Sequence, residues 1–153
     1  MPRHFISRKE AKNVAASVAS LGINLPEGSM EVEERKKEKC YFLDGKPCIF
    51  FSEVFFPTIL LLNQIKPEVR TLTVDKGAVP HIMKGANVFA QGIVSIEESI
   101  ESGDIVFIRD EDRNYIAVGK STRSAKEILA NKKGEAATLI HYPNDRFIQE
   151  FTN

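Results

Sequence analysis

The sequence predicts an α+β fold in two parts. A small N-terminal α/β domain spans residues 1–70, and a small mixed β pseudo-barrel with short helices spans 71–153. Three observations predict it. The first part carries a capped amphipathic helix followed by a hairpin signal. From Thr71 onward, short β-branched runs recur between regular turn signals, the pattern of a small barrel. Between these two regimes lies Val74–Ile93, which places Gly77, Gly85 and Gly92 at element junctions and repeats Lys-Gly-Ala at 76–78 and 84–86.

Composition sets the outer limits. With 42% hydrophobic and 27% charged residues the chain reads as globular. Ten Phe and no Trp supply the aromatic core. Net charge is zero, with eleven Lys/Arg against nine Asp/Glu up to Arg70 and ten against twelve after it. A global basic field is absent, so any nucleic-acid surface must be local. The N-terminus turns polar at once (Arg3, Arg8, Lys9, Glu10), and the apolar run Ile59–Leu62 is far too short to span a bilayer. A cytoplasmic protein without a secretory leader is expected.

Ser7-Arg8-Lys9-Glu10 reads as a capping box, and a helix to about Leu21 should follow, with Val14, Val18 and Leu21 on its apolar face. Gly22 ends it and 25–28 is a loop. Residues 30–43 mix charges of both signs, which argues a solvated ribbon. Cys40–Leu43, the turn Asp44-Gly45 and Cys48–Phe51 form a hairpin. A two-residue turn sets Cys40 opposite Ile49 and Tyr41 opposite Cys48. The two sulfurs then lie on opposite faces, and a disulfide would need an odd-length loop or a bulge. Two reduced thiols are expected, and two Cys without clustered His make no zinc site. Phe55–Leu62 reads as a buried short helix with Pro57 in its first turn.

Thr71–Val74 is a strand. A helix then starts near Gly77, because Pro80 is tolerated only in a first turn. Asp75 stands ahead of its free N–H groups, and Val79, Ile82 and Met83 form its core face. Lys84 and Gly85 close it. Asn87–Ala90 is the next strand, broken at Gly92. Ser102-Gly103-Asp104 turns into the strand Ile105–Ile108, and 109–114 is a polar hairpin loop. Tyr115–Lys120 returns, Ser124–Glu127 caps a helix through Leu129, and Ala136–Ile140 is a strand. After the turn 141–145, Arg146–Ile148 closes the sheet as a strand. Spacing alone leaves two readings of the glycine-rich module: tight turns in a compact barrel, or one wall of a shallow ligand groove.

The residues carry a resemblance. Val74-Asp75-Lys76-Gly77-Ala78, Gly85-Ala86, Gly92-Ile93, Gly103-Asp104-Ile105-Val106, Ala117-Val118-Gly119 and Ser124-Ala125 occur in the order seen in the PUA domain, and the match runs from about 71 to 150. The resemblance implies a pseudo-barrel of about six strands, with RNA in the groove between the first helix and the strand after the glycine turn. Phe56-Pro57-Thr58, Leu61-Leu62 and His141-Tyr142-Pro143-Asn144-Asp145 resemble the malignant T-cell-amplified sequence family and its archaeal relatives. These pair an N-terminal α/β domain with a PUA domain, and the eukaryotic members act on the small ribosomal subunit with a density-regulated partner protein.

A phosphate groove needs cations and amide donors together. Lys76, Lys84, Lys120 and Arg123 are the candidate cations. Gly77, Gly85 and Ala86 keep side chains away from an approaching nucleotide, and His81 and Asn87 are candidate hydrogen-bonders to base or ribose. Against these stand structural roles: a half-buried His81, and Arg123 paired with Glu127 one turn on. Asp110-Glu111-Asp112 must face away from RNA. The expected partners are structured RNA (rRNA or tRNA), possible contact with the small ribosomal subunit, and a protein partner through the N-terminal domain. No cofactor, metal or membrane is expected. No triad, paired-carboxylate or phosphate-loop motif is visible, so an enzyme is not expected. The alternatives are an accessory RNA-binding subunit for tRNA or rRNA modification, and an adaptor that exposes Phe50, Phe51 or Phe55.

Overall fold

The computed structural model describes residues 3–152. In chain order the first half holds β1 (His4–Phe5), α1 (Arg8–Ala19), β2 (Met30–Arg35), β3 (Glu38–Leu43), β4 (Lys46–Ser52), β5 (Val54–Pro57) and α2 (Ile59–Ile65). The second half holds β6 (Thr71–Val74), α3 (Val79–Met83), β7 (Val88–Phe89), β8 (Ile93–Ile96), β9 (Ile105–Arg109), β10 (Tyr115–Ser121), α4 (Ala125–Ala130), β11 (Glu135–His141) and α5 (Arg146–Thr152). This is the α+β architecture the patterning predicts.

Strands β1 to β5 form an antiparallel meander in sequence order. Ser7 caps α1, its Oγ accepting the Glu10 N–H at 3.1 Å. The reciprocal half of the capping box is not made, and Glu10 Oε2 is buried without a partner. Val14 and Val18 are the buried face of α1. Gly22 ends the helix at φ +81°, and a Cβ there would collide with the Val69 side chain, so the position excludes side chains twice over.

The β3–β4 hairpin turns at Asp44-Gly45, with Leu43 opposite Lys46, but a bulge follows. Tyr41 pairs with Ile49 and Phe42 with Pro47, which leaves Cys48 as the extra residue. The bulge shifts the expected register, and Cys40 faces Phe50 instead of Ile49. Both thiols are free and buried. Burial pushes both up, Cys48 to about 12, and the neighbouring Cys48 adds to the rise at Cys40.

Two expectations are corrected here. Residues 54–57 are the edge strand β5, and the helix begins only after Thr58, whose Oγ1 accepts the Leu61 N–H at 3.0 Å. Pro57 therefore ends a strand instead of opening a helix. Arg146–Ile148 is not a closing strand. It opens α5, capped by Asp145, whose Oδ1 accepts the Ile148 N–H at 3.1 Å. Phe147 and Phe151, four apart, then fall on one buried face.

The second sheet runs β7-β11-β10-β9-β6-β8, with β6 and β9 parallel and its other pairs antiparallel. Its two edges, β7 and β8, are joined by the 3-10 turn Ala90–Gly92 alone. Four peptide units reach about 14 Å, whereas six strands side by side measure about 24 Å across. The edges must meet, and the sheet closes on itself as a pseudo-barrel.

The cores do not divide where the sheets do. Leu72, Val74, Ile82, Val106 and Ile108 belong to the barrel core. The first core holds Phe42, Phe50 and Phe56, and also Phe107, Tyr115, Phe147 and Phe151 from the second half. Polar bonds follow the same seam. Asn63 on α2 bonds both the N–H and the C=O of Tyr115, at 2.8 and 3.0 Å. Arg146 forks onto Glu38 at 2.7 and 2.6 Å.

Candidate nucleic-acid interface

The glycine-rich module folds as strand, turn, short helix, turn and strand. Pro80 sits in the first turn of α3, as its missing N–H requires. The helix begins two residues later than expected, because Asp75 organises the turn ahead of it. Asp75 Oδ1 accepts the Ala78 N–H at 2.9 Å. Ile82 alone is fully buried, while Val79 is half-buried and Met83 is 41% exposed, so the core face is narrower than the spacing suggests.

Beside α3 opens a cavity of about 470 Å³. Asp75, Ala78, His81 and Ile82 form the wall from the helix side. Ala86, Asn87, Phe89, Gln91 and Gly92 form the other. Gly92 closes its base, since a Cβ there would stand 3.1 Å from the Ala78 methyl. Phe89 is 53% exposed, a large aromatic surface held on two residues of strand.

The structure sorts the expected site residues into two groups. His81 and Ala86 line the cavity and are exposed, and Lys76, Gly77 and Lys84 are exposed on the turns that bracket α3. A Cβ at Gly77 would touch only Asp75 Oδ1, at 3.4 Å, so the backbone is open to approach there. The other group is committed to the fold. Gly85 has φ +103°, and its missing Cβ makes room for the Tyr142 ring, 2.9 Å from where that atom would be. Asn87 lines the cavity, yet its amide bridges to the neighbouring strand, donating to Glu135 at 3.0 Å and accepting the Leu139 N–H at 3.0 Å. Arg123 donates to the carbonyls of Asn131 and Lys133 at 2.8 and 2.9 Å and so ties the loop after α4. It does not pair with Glu127, whose carboxylate takes the Ser124 hydroxyl. Lys120 is exposed on β10, two strands from β7.

Sequence reasoning passed over Asp75, Phe89 and Gln91 as site residues. The signal for Phe89 was present in strand alternation: Val88 and Ala90, both apolar, share one face of the expected strand and turn Phe89 to the other. It also missed the loop at 131–134. The Ala90 N–H donates to the Gly134 carbonyl at 2.8 Å, and Lys132 Nζ donates to the Ile93 carbonyl at 2.9 Å, which ties this loop, with exposed Lys133 in it, to the segment that follows β7. Asp110-Glu111-Asp112 forms the tip of the β9–β10 hairpin, at the opposite end of β10 from Lys120. There Asp110 accepts the N–H groups of Asp112 and Asn114, both at 2.9 Å.

Among the described residues no cluster of three His, Cys, Asp or Glu could hold a metal, and no helix is long and apolar enough to cross a membrane. Phe50 is fully buried, and Phe51 and Phe55 are half-buried against each other at 4.7 Å, so none of the three stands exposed as the adaptor alternative expects.

Comparison with known proteins bears on the two-part architecture. Residues 70–143 match the PUA domain, and residues 2–65 match a domain of unknown function, DUF1947. An uncharacterized protein of Methanocaldococcus jannaschii is 30% identical over 151 residues, covering 94% of this chain and 93% of that one. Translation machinery-associated protein 20 of Saccharomyces cerevisiae is 30% identical over 71% of this chain, which spans 65% of the yeast protein. The Malignant T-cell-amplified sequence 1 homolog of Drosophila melanogaster is 36% identical over 60% of this chain and 52% of its own length. A conserved PUA domain protein from Thermoplasma acidophilum superposes with a TM-score of 0.94 at 41% identity, covering 98% of this chain and 99% of that one. The chain therefore belongs to the family of PUA-domain proteins in which a DUF1947 domain precedes the PUA domain.

Proposed function

We propose that the protein is a non-catalytic cytoplasmic RNA-binding protein. It holds structured RNA, rRNA or tRNA, along the α3–β7 groove and serves translation, with the small ribosomal subunit as a candidate partner. The observation that carries this reading is the cavity itself. It is the size of a small-ligand pocket, its lining combines the polar side chains of Asp75, His81, Asn87 and Gln91 with an exposed aromatic, Phe89, and exposed Lys76 and Lys84 stand on the turns that bracket α3. RNA recognition uses this combination: bases stack on aromatic faces while the phosphates lie on cations. The translation role is supported by the name of the yeast relative, translation machinery-associated protein 20.

The test is the pair Lys76→Ala and Lys84→Ala together, measured by equilibrium binding of structured RNA across a salt series. Each lost phosphate contact flattens the log–log salt slope by about 0.7–0.9. The double variant should bind more weakly and with a slope shallower by about one to two. Unchanged affinity and slope would place RNA elsewhere. Crosslinking in cells separates the roles. Small-subunit rRNA among the captured fragments supports the translation role, and fragments centred on modification sites point to the accessory-subunit role.

A further inference from the structure

The cavity beside α3 has a chemical character that phosphate binding does not explain. Neither Lys nor Arg lines it. Its one charged group is Asp75, whose Oδ1 caps Ala78 and whose Oδ2 meets no donor among the described residues. His81 and Gln91 line the same space, and their side chains make no hydrogen bond among the described residues. Ile82, Ala78, Ala86 and Gly92 leave the remaining wall apolar or bare, and Phe89 offers a ring face. A carboxylate in a cavity that neither Lys nor Arg lines repels phosphate and accepts from a group rich in N–H donors.

We infer that this cavity takes one unpaired guanine base, with Asp75 accepting from its N1–H and its N2 amino group and Phe89 providing the stacking surface. The inference rests on the RNA-binding reading and names the base that reading leaves open. Among the four bases, guanine alone places two N–H donors side by side on its Watson–Crick edge, matching the two oxygens of one carboxylate. Adenine and cytosine set an acceptor beside their amino group, and uracil flanks its one N–H with two carbonyls. Each of these would push a lone pair against the second carboxylate oxygen. Asp75 Oδ1 can take a base N–H while still capping Ala78, because a carboxylate oxygen carries two acceptor sites. Gln91 and His81 supply N–H groups for the acceptors that guanine carries on its O6 and N7 side. The sugar-phosphate backbone then runs outside the cavity, where Lys76 and Lys84 stand.

The test titrates GMP, IMP and AMP into the full ¹⁵N-labelled chain and follows amide signals. IMP keeps the purine, ribose and phosphate and lacks only the N2 amino group. GMP should shift Ala78, Phe89 and Gly92. IMP should bind about tenfold more weakly, the loss expected for one hydrogen bond to a charged acceptor. AMP should be weaker again. Asp75→Asn retains Oδ1 for the Ala78 cap and replaces Oδ2 by a donor, so it should bring GMP down to the IMP level with the fold intact by circular dichroism. Equal binding of GMP and IMP, no binding of either, or shifts confined to other residues would overturn the assignment. A bound RNA whose affinity ignores guanine-to-inosine replacement would also overturn it and leave the RNA reading standing. A GMP preference with no gain in affinity for any longer RNA would instead remove the RNA reading and keep the cavity's specificity.

Discussion

His141 ties the two halves together at a buried point. It is 1% exposed. Its Nε2 accepts the Ile59 N–H at 3.2 Å, the first N–H of α2. The ring proton therefore sits on Nδ1 and is directed at Asp145 Oδ2, 2.7 Å away. Phe50 meets the imidazole nearly edge-on at 5.3 Å. Burial by itself would raise the Asp145 carboxyl. The bonds from His141 and from the Tyr142 and Ile148 N–H groups outweigh it and hold the group below the ordinary Asp value. A carboxylate depressed in the folded state contributes stability that is complete above its unfolded pKa, about 3.9, and is lost as pH falls through the folded value. Asp145→Asn should cost about 2 kcal/mol at pH 7, because the amide is a weaker acceptor and turns a donor toward donors. In urea unfolding the gap between the two proteins should narrow below about pH 4. A gap that is constant from pH 7 to pH 3 would show that the charge on Asp145 contributes nothing.

At the scale of elements, what could be read from the sequence was what local chemistry decides. Thr71–Val74, β9, β10 and β11 follow from β-branched runs between turns, and α4 from its Ser124 N-cap, whose Oγ accepts the Glu127 N–H and whose hydroxyl donates to the Glu127 carboxylate, both at 3.1 Å. The errors came where a local signal competed with one of longer range. Residues 146–148 read as a strand by composition, yet Asp145 is a good N-cap and Phe147 and Phe151 have helical spacing. Those two rings are buried only because β4 and β5 bring Phe50 and Phe56 to meet them, at 5.1 Å for Phe50–Phe147 and 5.4 Å for Phe56–Phe147. The site suffered in the same way. Arg123 and Asn87 have the right chemistry for RNA, but their partners at 131, 133, 135 and 139 lie on elements whose proximity no spacing rule supplies. Removing the Phe147 ring tests how far α5 is held by the first core. Phe147→Ala should cost about 3–5 kcal/mol by urea denaturation, the range for a buried aromatic. A loss under about 1 kcal/mol would mean that the Phe147 ring adds little to the first core and that α5 is held by its other contacts, Phe151 and the Arg146–Glu38 fork among them.

For the whole molecule, the first core draws residues from both halves, and a single cooperative folding unit is the expected outcome. The first core lies within reach of α1 and β2–β5, but four of its large rings (Phe107, Tyr115, Phe147 and Phe151) come from after residue 70. Asn63, Lys66 and His141 add hydrogen bonds across the same seam. Without the second half, Phe50 and Phe56 would be left in contact with water on one side, and the N–H of Ile59 and the amide of Asn63 would lose their partners. A segment of this size has little apolar area to spare, since small domains bury a smaller share of their surface than large ones. Residues 1–70 expressed alone should therefore lack a dispersed amide spectrum and a cooperative thermal transition. The full chain should unfold in one step, with Tyr fluorescence and far-ultraviolet circular dichroism tracing the same urea midpoint. Tyr115 makes the first signal informative, because it sits on β10 with its ring in the first core and so reports both halves together. Two separated midpoints, or a folded 1–70 fragment, would mean that the rings donated from the second half are dispensable and that the seam is an interface between domains instead of a shared core.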